Sequence, residues 1–219
     1  MSLLASSADS PARGRPRDVS IEARVFDAAM AVYAEGGWAA FSFEAVARRS
    51  GVGKASLYRR WPGRGELLRQ TFEARWLAVT KIDTGNLQGD LRALARMVAQ
   101  TLTGPFSGAH PRISLDLAEH PELLAFLRPY AEATIAQGRH IIRRAIARGE
   151  LAASVNPGLI MDLVVGGVTN HVRTTPRRLR QAMLAKIEGF IDSIVEVVLA
   201  GVGAKTLPVR APGPGEEGL

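Results

Sequence analysis

The sequence predicts an all-α chain in two parts, a head of three short helices followed by a longer helical body. Three observations carry this expectation. Apolar residues recur at spacings of three and four in nearly every segment, no alternating run competes as a strand, and Gly and Pro fall at the breaks between periodic stretches. With 219 residues and 47% hydrophobic content, the chain can bury a sizeable core in one or two domains of roughly 100–200 residues each.

Residues 1–19 are expected to form a flexible arm. Ser20 caps a first helix in which Ile21, Val25, Ala28, Val32 and Tyr33 share one face, and Gly36-Gly37 ends it. Ser42 caps a short second run carrying Phe43, Val46 and Ala47. A third begins after Gly53 and stops at Trp61-Pro62-Gly63, because proline cannot continue a helix. These three make a first domain over residues 20–63, with a second over 64–200. In the second, helices are expected from Glu66 to about Ile82, from Gln88 to Leu102 and from Arg112 to Glu119. Pro121 opens a long helix to about Arg148, which Pro129 should kink or interrupt. Asn156-Pro157 and Thr175-Pro176 each place proline at the first helical position behind an N-cap, opening the last two helices. Residues 201–219, rich in Gly and Pro, are expected to be a disordered tail.

Composition removes several kinds of chemistry. The chain has no cysteine, which excludes disulfides, thiolate zinc sites and cysteine nucleophiles. His110, His120, His140 and His171 stand singly, without metal-ligand spacing, so neither a metal nor a cofactor is expected. There is no GxSxG and no pair of carboxylates placed for acid–base work, so no catalytic residue is expected either. The opening "MSLLASSADSPARGRPR" has too short an apolar run for a signal peptide, and the best later stretch, "LIMDLVVGGVTNHV", is interrupted by Asp162, Asn170 and His171. A cytoplasmic location with no membrane partner is the expectation.

Charge is unevenly placed. The net charge is +7, and between Arg13 and Arg64 ten Lys and Arg stand against five Asp and Glu. Such a basic stretch suits a polyanionic partner, although solvated charge runs are common.

The stretch "SGVGKASLYRRW", residues 50–61, narrows that partner. A phosphate loop of the Walker type needs Gly, four residues, then Gly-Lys-Ser/Thr behind a strand. Arg48 stands where the first glycine belongs, Ala55 where the hydroxyl belongs, and a helical run precedes it. A helix-turn-helix needs a small residue where the helices cross, a glycine able to take positive φ in the turn, and apolar plugs on the second helix. Ala47, Gly51, Val52 and Leu57 meet those needs, with Val46 and Trp61 extending the plug. The opposite face of the second helix then exposes Lys54, Ala55, Ser56, Tyr58, Arg59 and Arg60. In such motifs this helix enters the major groove, where Lys54 can reach a guanine edge and Ala55 a thymine methyl, while Tyr58 and Arg59 suit phosphates.

The stretch "FSFEAVARRSGVGKASLYRRWPGRGELL", residues 41–68, closely resembles the DNA-binding region of the tetracycline-repressor (TetR) family of bacterial transcription regulators. The likeness reaches back through "IEARVFDAAMAVYAEGGW" and, more loosely, forward through "PELLAFLRPYAEATIAQGRHIIRRAIARGEL" and "VNPGLIMDLVVGGV". It implies an N-terminal three-helix helix-turn-helix DNA-binding domain and a C-terminal helical ligand-binding and dimerisation domain. The implied protein is a homodimeric repressor that reads a near-palindromic double-stranded DNA operator and responds to a small-molecule effector. By position, the family's DNA-contacting residues fall on Ser42, Lys54, Ala55, Ser56, Tyr58, Arg59, Arg60 and Arg64. Arg13 and Arg15, in "RGRPR", match an arm that either enters the minor groove or serves as a solubilising tail. The chain departs from the pattern at Gly53, where serine or threonine is usual, and at Gly63 and Gly65, which flank Arg64. The rival from another class is an all-helical small-molecule-binding protein or enzyme with no specific DNA binding.

An effector pocket is expected between Glu66 and Val172. Trp76, Met97, Thr101, Phe106, Leu117, Phe126, Tyr130, Thr134, Met161 and Asn170 are its candidate lining, although an aromatic or Met at helical spacing is more often ordinary core. Few charges interrupt these faces, which suits a mostly apolar ligand. Near the end, Met183, Ile187, Phe190, Ile191, Ile194 and Val198 form one apolar stripe, and Ile160, Leu163, Val164, Gly167 and Val168 form another. Two readings stay open for them, intrachain core or a self-complementary four-helix homodimer interface built from the last two helices.

Overall fold

The computed structural model describes residues 19–75 and 82–203, apart from the side chains of Val19, Ser20 and Tyr130. Among the described residues every regular element is helical. The head comprises α1 (Val19–Ala40), α2 (Phe43–Ser50) and α3 (Lys54–Arg60). After it come α4 (Arg64–Arg75), α5 (Leu87–Thr103), α6 (Ala109–Glu119) and α7 (Leu123–Ala147). Then follow α8 (Pro157–Thr174), a 3-10 turn (Arg177–Leu179), α9 (Arg180–Ala185) and α10 (Ile187–Gly201). The bend in α1 lies at Gly37, whose φ of 66° breaks the helical path where the Gly-Gly pair predicts an end. Asn86 and Asn156 cap α5 and α8 by accepting from the amides of Gly89 at 2.7 Å and Gly158 at 2.9 Å.

Two expectations about helix integrity need correction. α7 runs unbroken through Pro129, and both Pro129 and Ala125, whose carbonyl loses its helical donor, lie on an exposed side where water can substitute. The final helix, by contrast, divides at Lys186 (φ −111°, ψ 6°), with no Gly or Pro to announce the break.

Apolar burial forms two clusters. One joins Val25, Met30 and Tyr33 of α1, Phe43 and Val46 of α2 and Leu57 of α3 to Leu67, Leu68 and Phe72 of α4, Ala109 of α6 and Leu123 and Leu127 of α7. The other joins the inner faces of α5, α8 and α10 to Ile141, Ile142 and Ala145 at the far end of α7. The head therefore packs directly on α4, α6 and the start of α7, and α7 threads both clusters.

The stripes near the C-terminus are mostly intrachain core. Ile160, Val164, Val168, Met183, Ile191 and Val198 are buried within the chain, and Ile187, Phe190 and Ile194 pack half-buried against them. Leu163 is instead 45% exposed, on an outer line of α8 with Leu159 and Gly166, and Gly189, Ser193 and Val197 of α10 are exposed as well. The physical reason is that α5 lies between α7, α8 and α10 and supplies the apolar partner that the stripes require.

A buried polar network fixes the entry to α5. Asp90 is fully buried and accepts from the Thr84 amide at 2.6 Å and from its hydroxyl at 2.9 Å, with Arg144 of α7 and Arg148, which caps that helix, at 3.3 and 3.5 Å. Glu150 accepts from the Leu87 amide at 2.6 Å and from Arg148 at 2.5 Å. Removing one partner of such a group strands its counter-charges. Asp90→Ala should lower unfolding free energy by about 3–5 kcal/mol in urea titrations. Glu73→Ala, which removes a solvent-facing pair with Arg69, should change it by less than about 1 kcal/mol.

Candidate nucleic-acid interface

The turn between α2 and α3 is built from short-range requirements. Ser42, in extended backbone, accepts from the Ala45 amide at 3.1 Å and starts α2. Gly51 ends it at φ 69°, and its amide donates to the Ala47 carbonyl at 3.0 Å, the left-handed stop that favours glycine. The Val52 amide then donates to Ser50 Oγ at 3.2 Å, which carries the chain into α3. Gly53 offers no side-chain cap, and the Ser56 amide bonds only its carbonyl, at 2.8 Å.

Four apolar residues lock the second helix. Val46, Val52, Leu57 and Trp61 are all buried, Trp61 packs edge-on to Phe26 at 5.9 Å, and its indole donates to Gln70 of α4 at 2.9 Å. Lys54, Ala55, Tyr58 and Arg59 consequently stand exposed, with Ser56 and Arg60 half-buried beside them. The Tyr58 ring meets Phe43 at 4.6 Å and remains 54% exposed. Lys54 pairs with Glu44 of α2 and lies 5.6 Å from the Tyr58 ring centre. The hydrogen bond from Lys54 holds the Glu44 carboxyl below its usual range and raises the ammonium. Ser56 Oγ accepts from both Arg59, at 3.4 Å, and Arg60. From the sequence Phe43 stands only as an apolar residue of α2 and Glu44 carries no sign of a role, yet Glu44 holds Lys54 and Phe43 holds Tyr58 in place.

Arg64 behaves differently from the rest of the expected set. Its guanidinium covers the Trp38 ring at 3.8 Å and donates to the carbonyls of Phe41 at 2.8 Å and Trp38 at 3.2 Å. The residue is thus committed to the α1–α2 turn instead of standing free beside α3. Ser42 Oγ is likewise occupied as a cap. Arg13 and Arg15 lie outside the described residues.

That turn is also gripped from the body. Asp116 of α6 accepts from the Trp38 amide at 2.9 Å, and Arg112 donates to the carbonyls of Ala34 and Glu35 at 3.1 and 2.6 Å. The Arg75 side chain at the end of α4 donates to Asp27 of α1 at 2.6 Å.

This helix-turn-helix has a counterpart in known proteins. Residues 25–71 match the family described as "Bacterial regulatory proteins, tetR family", and residues 81–189 match "Tetracyclin repressor-like, C-terminal domain". The HTH-type transcriptional regulator AqdR of Rhodococcus erythropolis is 32% identical over 74% of this chain and 78% of its own. The chain belongs to the TetR family of transcriptional regulators. A second TetR-family relative, the DNA-binding transcriptional repressor TetR of Mycobacteroides abscessus, is 27% identical over 86% of this chain and 96% of its own. Among solved structures, GusR of Salmonella enterica shares the fold, with a TM-score of 0.63 at 17% identity, over 84% of this chain and 97% of that one. No described helix of this TetR-family chain is long and apolar enough to cross a membrane.

The expected effector residues do not converge on one cavity. Met97, Thr101 and Phe106 line a recess of about 300 Å³ with Arg75, Gln100 and Pro105. Phe126 packs on α4, where a side chain added at Gly65 would meet its ring at 2.5 Å. Met161 packs against Gly138 of α7, Leu117 joins the head cluster, Thr134 is half-buried on α7 and Asn170 is exposed on α8. Trp76 and the Tyr130 side chain lie outside the described residues. A larger recess of about 680 Å³, lined by His171, Leu179, Met183 and Phe190, opens between α8, α9 and α10.

Two glycines near the turn should respond oppositely to substitution. Nothing lies within 4 Å of a Cβ placed on Gly51, so Gly51→Ala should lower stability through backbone strain alone, by about 1–2 kcal/mol in thermal unfolding. Gly53 has φ −58° and equally open surroundings, so Gly53→Ser should hold stability or raise it by roughly a few tenths of a kcal/mol.

Proposed function

We propose that this TetR-family regulator is a repressor that binds operator DNA as a homodimer and is released by a small-molecule effector held among its C-terminal helices. The observation that carries the reading is the division of α3 into a buried edge, Leu57 with Trp61 beyond it, and an exposed edge of Lys54, Ala55, Tyr58 and Arg59. An exposed basic edge on a helix so placed suits a major groove, with base edges near its N-terminus and phosphates beside it. Arg48 and Arg49 in the last turn of α2 add exposed positive charge on the same motif. The description of the M. abscessus relative as a repressor supports the direction of regulation.

The exposed apolar residues Leu159 and Leu163 on the outer line of α8 and Val197 on α10 support a two-fold contact. Leu159, Leu163 and Val197 are 53%, 45% and 71% exposed, and a two-fold axis would bury the same patch of both subunits at once.

Selection of genomic fragments on the purified protein should enrich a near-palindromic site. On the best fragment, Arg59→Ala should weaken binding about tenfold and lower the slope of log affinity against log salt by about one, as for one lost phosphate contact. Tyr58→Ala should weaken it without a comparable change of slope, because a neutral hydroxyl on a phosphate releases no counterion. Unchanged affinity in both variants would remove these residues from the interface.

Leu163→Glu combined with Val197→Glu should convert the dimer to a monomer in sedimentation analysis and abolish tight binding to the paired site. Retention of the dimer would place its interface elsewhere.

A further inference from the structure

The recess holding Met97, Thr101 and Phe106 reaches the head through Arg75 and Phe106. Arg75, at the end of α4, is the charged residue among the described ones that line it. The Thr101 hydroxyl donates to the Met97 carbonyl at 2.9 Å, so its proton is already committed and the wall is largely apolar. The Arg75 side chain is 28% exposed and reaches α1, donating through Nε to Asp27 Oδ1 at 2.6 Å and through Nη2 to the Ala23 carbonyl at 3.3 Å. Asp27, 57% exposed, lines a neighbouring recess of about 310 Å³ with Arg24, Arg49 and Ser50 of the head. Phe106 is common to both recesses.

We propose that the effector of this regulator is a small amphipathic carboxylate that occupies the α4–α5 recess and takes Arg75 from Asp27. The inference rests on the effector-responsive reading above and adds the chemical class and the coupling residue. Met97 and Phe106 would cover the apolar body, while the guanidinium, a planar fork matched to carboxylate geometry, receives the charged end. An ion pair with a mostly solvated partner is weak, and a carboxylate carried into the recess by an apolar body can displace it. The volume lies at the small end of ligand pockets, roughly 300–1,000 Å³, which favours a short acid over a long one. Asp27 belongs to α1 and Arg75 to α4, so the exchange cuts one of the ties between body and head. Effector and Asp27 compete for one guanidinium, and removing Asp27 must therefore favour the effector.

Calorimetric titration of the full-length protein, without DNA, tests this with sodium octanoate and 1-octanol as length-matched probes. Octanoate should bind at least tenfold more tightly than octanol, and Arg75→Gln should bring the two to equal affinity. Asp27→Asn should tighten octanoate about threefold or more and leave octanol unchanged, a result that a merely structural Arg75 does not produce. Where Arg75→Gln fails to fold by circular dichroism, the Asp27→Asn titration decides alone. Absence of octanoate binding, equal affinity for the two probes, or weaker octanoate binding in Asp27→Asn would each overturn the proposal. None of these outcomes bears on fragment selection, so the DNA-binding reading stands or falls separately.

Discussion

Burial of Leu57 and Trp61 under the left-handed turn at Gly51 is the constraint on which the rest depends. α3 has seven residues, Lys54–Arg60, far too few to hold a helix in water by themselves. Its position and rotation come from outside, through Leu57 at 0% and Trp61 at 2% exposure and the indole bond to Gln70. Burying each such side chain contributes about 1.5–3 kcal/mol, well above what the missing cap at Gly53 costs. With those two residues inward, helical geometry leaves Lys54, Ala55, Tyr58 and Arg59 no other direction than outward. Phe43 and Glu44 of α2 then restrict Tyr58 and Lys54 on that edge, lowering the conformational freedom that a bound state would have to remove.

The head is not an independent bead on the body. Its apolar cluster continues into α4, α6 and the start of α7, and polar ties supplement the packing. Trp38 is the focus of these ties. Its ring lies between Arg64 at 3.8 Å and Phe41 at 6.0 Å, its indole donates to Glu122 at 3.1 Å, and its amide donates to Asp116 at 2.9 Å. A shift of α4 or α6 is therefore transmitted to the turn that precedes α2. An effector acting among the C-terminal helices needs such a contiguous connection to differ in affinity between two arrangements of the head.

Much of this was legible in the sequence, and what was legible depended on range. The helix-turn-helix follows from residues within fifteen positions of each other, where Ala47, Gly51 and Leu57 leave little choice of backbone path. The inward turn of Arg64 depends on the carbonyls of Trp38 and Phe41, more than twenty residues earlier, and a basic residue after a proline gives no sign of it. The C-terminal stripes show a different limit. Periodicity reveals that Ile160, Val164 and Ile191 must be covered but not by what, and α5 of the same chain covers them. Effector residues are hardest to read, because a Met or Phe lining a recess and one filling a core carry the same pattern. Met97, Thr101 and Phe106 share a recess, while Phe126 and Met161 became packing contacts. Arg75, which joins that recess to α1, carries no sign of it in the sequence, where it falls inside the helix expected from Glu66 to about Ile82.

On the proposed function, two copies of α3, each rotated by its buried edge, read DNA as a symmetric pair. Hydroxyl-radical footprinting of the best selected fragment tests it most directly. Two protected patches related by a local two-fold axis are expected on one side of the duplex, their centres separated by about 10 base pairs or a multiple of it, and both lost together when α3 loses its basic edge. A single patch, or uniform protection along the fragment, would contradict it.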